Sequence, residues 1–573
     1  MCPAANRHDK KYINFLTTFN FCREIHVTIK AGGKALNFFH RTDCDMILLD
    51  VKPPEADGFR LGRMMRRKKI EHDASNPQYT ETVREPDTGS GCKMDKYGKL
   101  VSNTMLLSVG SFGSKLLVFL MVRFYTGYLT PADYGTADLI TQTATLLIPL
   151  VTLGITESVF RFAVTGSDKS RKRVFSAGFY IITGGCAVMV MFAPLLCHVK
   201  SIGSYTTLIL CYTAASGYHT LCAQYVRALQ KVKLYAVQGL INTMLVIVLN
   251  ILFLAVFDMG IYGYVMSVII ADAAVTLILV FREKLWRHMV LRTGRALAKR
   301  MLFYSVPLIP TTIFWWIMSV SDRYMINWFI GAEANGIYAV AYKIPTILSI
   351  VSGIFMDAWN ISAISESQSG MYEHGRFFTK VWGSFIAVMF IAASFITAAA
   401  PVLIMLLADE EYYTAWQYMP ILALAIVFTA FSSFMGSVYV VKKKSVLSFA
   451  TSVVGAAVNI VLNLLLIPSP MGIWGAAAAT LVSCAAVFAI RAADVRKYIL
   501  IDMQIRSILL SLLTAGCQAV LAVFMSEKAP LYWMLQAAAF ALIIFINRKT
   551  LKQGIGKFTE LYGEWKRKLR CKG

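Results

Sequence analysis

The chain has 573 residues, 57% of them hydrophobic and 16% charged, against roughly 25% charge in an ordinary soluble domain. Its net charge is +24, which in a soluble protein would suggest nucleic acid; here the basic residues sit in alternate loops between apolar runs, where they meet anionic headgroups, so the reading is no nucleic acid. Mean hydropathy is +0.56, and the apolar runs are too long and uniform for barrel strands, which alternate over about ten residues.

The first 93 residues do not belong with the rest. Within them, 45–59 reads DMILLDVKPPEADGF. This resembles a response-regulator receiver domain, in which an apolar strand ends in a phospho-accepting aspartate followed by a loop of the form MPxxDG. The resemblance makes Asp50 the phospho-acceptor. It covers some 35 residues, 34–67, and lacks the family's upstream acidic pair, its switch Ser/Thr and its lysine. So short a piece cannot build a core. Residues 1–93 are therefore read as an extra segment carrying a truncated fragment, not as a folded domain. Met94 opens MDKYGKLVSNTMLLSVGSFGSKLLVFL, which reads as a natural start and a basic lead into a first membrane span.

From there about fourteen apolar spans follow, each long enough to cross a core of about 30 Å. They run near 101–122, 138–160, 174–196, 205–226, 235–257, 262–281, 302–330, 337–356, 381–407, 420–441, 447–467, 473–490, 507–525 and 532–546. Basic loops such as TGSDKSRKR, QKVK and KKK follow the even-numbered spans. The odd-numbered loops, among them FDMG, GAEANG and ADEEYYTAW, are nearly free of Lys and Arg. Basic loops stay on the cytoplasmic side, which puts both termini inside a multi-pass protein of the cytoplasmic membrane.

The spans repeat. GYLTPADYGTADLI stands between spans 1 and 2, and GAEANGIYAVAY between spans 7 and 8. Asn250 pairs with Asn463, and MGIYG at 259–263 with MGIWG at 471–475. Six spans return the chain to its starting side, so the repeat is parallel. The fold class is an all-α polytopic membrane protein of two six-helix bundles, 94–281 and 301–490. A basic cytoplasmic linker at 282–300, able to lie as an amphipathic helix on the inner leaflet, joins the bundles. Helices 13–14 occupy 491–547, and a basic tail occupies 548–573. Two parallel-repeat bundles suit alternating access, with the site between the halves. The eleven cysteines include no CxxC and the eight histidines are scattered, so no metal site, catalytic residue or enzyme is read. No cofactor is expected, with coupling to H+ or Na+ left open.

Three stretches resemble polysaccharide-type flippases: FGSKLLVFLMVRFYTGYLTPADYG, then PLIPTTIFWWIMSVSDRYMINWFIGAEANGIYAVAYKIP, then IPSPMGIWGAAAATLVS. Together they resemble the polysaccharide transport family of the MOP/MATE-like exporter superfamily. The resemblance implies a V-shaped pair of bundles that moves an undecaprenyl-diphosphate-linked oligosaccharide between leaflets. Lipid-linked oligosaccharide and membrane lipids are the implied partners, along with other polysaccharide-assembly proteins. Fourteen spans also resemble bacterial lipid II flippases. The rivals are a cation-coupled multidrug antiporter of the same superfamily and, in another class, a membrane glycosyltransferase or polymerase. The antiporter would want acids in the cavity, and the enzyme a long outer loop with catalytic residues.

A lipid diphosphate needs cations in a wet cavity, and arginine suits it by its planar, permanent charge. Arg123 lies near the end of span 1, where the family commonly has a cavity arginine, and is otherwise an interfacial snorkeller. Arg323 is in the matching span 7, facing Arg123 across the cleft or else bridging Asp322. Such neighbours on a helix point about 100° apart, which strains a mutual bridge. Lys343 in span 8 is a further ligand, or a partner of Asp322 or Asp357. Asp322, Asp272, Glu157 and Arg161 are candidate coupling or packing charges. Trp315 and Trp316 read as packing residues sooner than as sugar stackers. Pro307, Pro310 and Pro345 mark bends that suit a rocking motion.

Overall fold

The computed structural model describes residues 24–27, 46–49, 113, 117 and, with short interruptions, 119–551. The chain divides into two units, 1–93 and 94–573. In the first, strands β1 (Glu24–Val27) and β2 (Met46–Leu49) pair in parallel, Glu24 opposite Met46. β2 is the apolar run read ahead of Asp50; Asp50 itself lies outside the described residues.

The second unit is built of helices, because lipid offers the backbone no hydrogen bonds and a helix satisfies its own. The N-terminal half comprises α1 (Val122–Tyr128), α2 (Pro131–Val151), α3 (Ile155–Val164), α4 (Asp168–Met191), α5 (Thr206–Ala228), α6 (Val232–Asn250) and α7 (Gly260–Glu283). The linker ends in α8 (Arg295–Ser305). The C-terminal half comprises α9 (Ile309–Phe329), α10 (Ala332–Lys343), α11 (Thr346–Ser365), α12 (Met371–Leu407), α13 (Met419–Val441), α14 (Ser445–Leu466) and α15 (Gly472–Val495). α16 (Ile505–Phe524) and α17 (Pro530–Ile546) complete the chain's described part.

Among the described residues, nine helices are long and apolar enough to cross a membrane, or eleven if each of two bent pairs is one span. The count of fourteen is not reached, and the reasons are local. Span 1 falls largely outside the described residues. Span 4, as α5, is 23 residues long but carries His, Gln, Ser and Thr through its length. Span 14, as α17, has 17 residues. Two boundaries also move. α8 begins inside the basic linker and runs through a 3-10 turn at Val306–Leu308 into α9, so Pro307 sits at a junction between helices. α15 continues to Val495, which puts Arg491 inside a helix and not in the following loop.

The repeat is visible in backbone detail. Spans 2 and 8 are equivalent and both are bent, by 52° between α2 and α3 and by 40° between α10 and α11, at Pro345. Gly260 and Gly472 open α7 and α15 at φ of 51° and 49°, a left-handed conformation that glycine adopts without penalty. Asn250 and Asn463 are both buried.

The C-terminal half has the larger core. Trp382 on α12 lies 4.9 Å from Phe431 and 5.0 Å from Phe434 on α13. α16 docks on α12 and α17 on α16 through amides: Ser394 donates to Gln518 Oε1 at 2.7 Å, and Gln536 donates to the Gln518 backbone carbonyl at 3.2 Å. Between helices in lipid there is little hydrophobic drive, so such bonds and close packing decide which helices meet.

The principal contact between the halves joins α2 and α10 at the end where the acidic loops lie. It depends on glycine. A Cβ at Gly135 would run into the Ala332 carbonyl, and one at Gly336 into the Pro131 carbonyl. Pro131 and Ala332 are the first residues of the two helices, so the contact is reciprocal. Asn335 also donates to the Gly135 carbonyl at 2.8 Å. Gly336→Leu is expected to force the helices apart at a cost of about 1–3 kcal/mol. It should lower the melting temperature and raise maleimide labelling at Ala132→Cys. Gly127→Ala, where a Cβ meets nothing within 4 Å, should do neither.

Candidate functional site

α2 and α9 bring one acid and one base together in the membrane interior. Thr130 caps α2, accepting from the Asp133 N–H at 3.2 Å, and Pro131 takes the first turn, where its missing N–H is no loss. About 10 Å further along the helix at 1.5 Å per residue, Asp138 projects towards the C-terminal half. Arg323 meets it from α9: Nη1 lies 2.6 Å from Oδ1 and 2.5 Å from Oδ2. The two side chains are 6% and 7% exposed. Arg323 Nε has no hydrogen-bond partner, and the Tyr342 ring centre is 5.2 Å from the guanidinium carbon.

Further cross-half bonds run alongside. Tyr324 and Thr143 hydroxyls are 2.6 Å apart, and Trp316 Nε1 donates to the Gln142 carbonyl at 3.1 Å. Asn327 donates to Ser201 at 2.5 Å. Beyond this layer, away from the acidic loops, α2 and α9 enclose a cavity of about 290 Å³ lined by Thr145, Pro149, Thr312, Trp315, Trp316 and Ser319. Trp315 and Trp316 thus line the cavity between the halves.

Asp322 and Arg323 do not bridge each other. Their side chains diverge, as adjacent helical positions must. Asp322 is fully buried within its own half. It accepts from the Tyr338 hydroxyl, from Thr480 at 3.1 Å and from the Arg323 N–H at 3.0 Å. Around it, Ser321 donates to Asn459 at 2.8 Å and Asn463 donates to Asn459 at 3.1 Å.

Lys343 ends α10. Asp138 and Arg323 both lie within electrostatic reach of it. Arg123 does not join them. Its guanidinium is half exposed, donating to the Ala408 carbonyl and lying 3.7 Å from Asp409. Together with the Tyr412 hydroxyl, which donates to Leu129 O at 2.8 Å, it ties α1 to the C-terminal half at the acidic-loop end. Glu157 and Arg161 lie on α3 at the opposite end. Arg161 stacks on Tyr304 at 4.6 Å, and Ser158 donates to the Met301 carbonyl at 2.6 Å, so Arg161 meets α8, while Glu157 is exposed. Asp272 sits among α5, α6 and α7, away from the cavity. The Asp357 side chain lies outside the described residues.

Asp138 was not singled out from the sequence; an acid early in an apolar span was the available signal. Arg491 falls just past the expected end of span 12 at 490. It is 2% exposed and donates to Thr451 at 2.9 Å, Ser432 O at 2.9 Å and Ser448 O at 3.2 Å. No sequence pattern marks acceptors scattered over two other helices.

Residues 100–368 match the sequence model of the family described as polysaccharide biosynthesis protein. The fold is that of the MOP superfamily. The lipid II flippase MurJ, in an inward closed conformation, superposes at TM-score 0.60 and 13% identity, over 79% of this chain and 99% of MurJ. An inward-facing MATE-family multidrug resistance transporter of the MOP superfamily matches at TM-score 0.56 and 12% identity, over 67% and 95%. A MOP-superfamily transporter from Pyrococcus furiosus with a binding pocket of reversed polarity matches at 0.51 and 13%, over 69% and 95%. No curated protein matches the chain in sequence. The family-model match over 100–368 and the fold agree with the resemblance drawn from the sequence, and the apolar helices are those of a multi-pass membrane protein.

The buried pair has a testable energetic signature. Removing one partner of a buried ion pair costs about 3–5 kcal/mol because the other is stranded. Arg323→Ala and Asp138→Ala are each expected to lose that much in denaturation from mixed micelles. The double variant should recover most of it. Additive losses would show that the two charges are not coupled.

Proposed function

We propose that the chain is a flippase that moves an undecaprenyl-diphosphate-linked oligosaccharide across the cytoplasmic membrane for polysaccharide assembly, by alternating access and without covalent chemistry. The observation that carries this reading is the cluster of Arg323, Lys343 and Asp138. Arg323 pairs with Asp138, and Lys343 lies within electrostatic reach of both, near a cavity between the halves. Such a site favours an anion over a cationic drug.

The basic loops set the orientation: the closed, acidic-loop end faces outward, and both termini are inside. A diphosphate entering from the cytoplasmic side competes with Asp138 for the Arg323 guanidinium, whose Nε and Nη atoms match phosphate oxygens. Lys343 adds a second charge. Once Arg323 is turned to the substrate, Asp138 no longer holds α9, and the outer end can part. The bend between α10 and α11 and the 3-10 junction at Pro307 are where the halves can flex. The prenyl tail stays in lipid throughout. Asp322, held by Tyr338 and Thr480 next to Arg323, serves as a packing charge that fixes the helix carrying the arginine.

A second reading keeps the mechanism and changes the glycan. The likeness to MurJ spans 99% of that chain, which supports a peptidoglycan-type lipid precursor as cargo. Both cargoes are prenyl diphosphates, so both use the same cations.

The test is flipping of a fluorescent undecaprenyl-diphosphate oligosaccharide in vesicles. Arg323→Ala combined with Asp138→Ala spares the fold by removing both charges. Lys343→Ala removes the second cation. Each is expected to slow flipping at least about tenfold, the scale of one lost charge-assisted bond. Full rates in both would exclude the cationic cluster as the diphosphate site. Supplying a lipid II analogue in parallel separates the two glycans.

A further inference from the structure

Midway through the N-terminal half lies a polar cluster that the cavity does not use. His219 projects from α5, Gln238 and Asn242 from α6, and Asp272 from α7. His219 Nδ1 lies 3.1 Å from Asp272 Oδ1, and its Nε2 lies 2.8 Å from Gln238 Oε1. Asn242 donates to Asp272 Oδ1 at 2.9 Å, and Ser216 donates to Oδ2. The His219 and Asp272 side chains are 15% and 7% exposed. Ionisable groups at this depth are costly and are kept mainly for ion pathways, relays or partners.

The hydrogen-bond pattern is that of a proton store. Both ring nitrogens face oxygens, an arrangement that a doubly protonated imidazolium satisfies completely. Loss of one proton from Nε2 leaves a lone pair facing Gln238. Rotation of the Gln238 amide then presents N–H in place of oxygen, and the neutral ring is satisfied too. Nδ1–H stays on Asp272 in both states. The cluster therefore has two complete hydrogen-bond patterns that differ by one proton.

α6 is the element able to respond. It is apolar, yet its buried residues are the two amides Gln238 and Asn250. About 11% of the span it forms is buried, the lowest share among the described spans. Polar bonds therefore carry much of its attachment. It continues into a π-helical segment, Ile251–Val256, a form found often at functional sites. There Leu254 is buried in the same cluster as Tyr125, Tyr134 and Tyr338, which seal the acidic-loop end. A change at Gln238 thus has a path along α6 to the seal.

We propose that His219 is a proton-coupling site: its imidazole takes up one proton from water and releases it during transport, and Gln238 passes its state to α6. This rests on the transporter reading above. The groups facing the ring are Asp272 from α7 and Gln238 from α6, with Ser216, Tyr212 and Asn242 around the carboxylate. The other long helices packed on α5 carry their charges towards their ends: Asp133 and Asp138 on α2, Glu157 and Arg161 on α3, and residues 168–173 on α4.

The test has two arms on the full chain. In lipid nanodiscs, imidazole nitrogen NMR of 15N-His protein follows the signal that His219→Gln removes. One titration step is expected between pH 5 and 9, displaced by about one pH unit or more in Asp272→Asn. Gln238→Leu, which keeps ring and carboxylate, should also displace it. A ring fixed in one protonation state across that range overturns the proposal. In vesicles, reversing a two-unit pH gradient should change flipping of the fluorescent undecaprenyl-diphosphate oligosaccharide at least about tenfold, and leave His219→Gln unaffected. A wild type indifferent to the gradient overturns the coupling role. A wild type that moves no lipid while His219 titrates defeats the substrate reading and supports the proton site.

Discussion

The contact between the two halves of this fold depends on one buried ion pair. Asp138 and Arg323 come from different halves, and neither charge is tolerable in the membrane interior without the other. The pair can form only because the helices approach closely, and they do so because Gly135 and Gly336 have no side chains to hold them apart. Backbone contact and ion pair are thus parts of one device. The first sets the spacing, and the second makes separation costly until something else satisfies the arginine.

The two halves share a scaffold and differ in chemistry. The bent spans, the left-handed glycines that open α7 and α15 and the buried asparagines recur in both. The polar clusters do not. The N-terminal half holds His219 with Asp272, and the C-terminal half holds Asp322 with Tyr338 and Thr480. Arg491 has no counterpart among the paired charges and is satisfied by neutral oxygens alone. The repeat keeps its backbone while its ionisable groups diverge.

Most of the architecture was legible because lipid imposes simple rules. Twenty apolar residues make a span, basic loops alternate, and a repeated motif makes a repeated helix pair. The site was legible in part. Arg323 and Lys343 stand out as charges in apolar sequence, and Lys343 lies within electrostatic reach of Arg323. The pairing of Arg323 with Asp138 was not legible, because it depends on how far α2 and α10 interpenetrate, and no periodicity reports that. Arg123 shows the converse. Its place at the end of span 1 allowed a cavity residue or an interfacial one, and it is half exposed beside Ala408 and Asp409. His219 was hidden by its polar neighbours within α5, where a lone histidine carries no spacing to read. Arg491 was hidden by a helix that runs five residues past the expected boundary of 490.

The central claim is that a diphosphate opens the acidic-loop end by taking Arg323 from Asp138. The most direct measurement is the distance between spin labels at Ala132→Cys and Glu333→Cys, both exposed and on opposite sides of the glycine contact, in a background without native cysteines. Saturating prenyl-diphosphate oligosaccharide is expected to shift the population from a short to a longer distance, and the same lipid without its phosphates should leave it short. An unchanged distribution in protein that is moving the lipid would contradict the account.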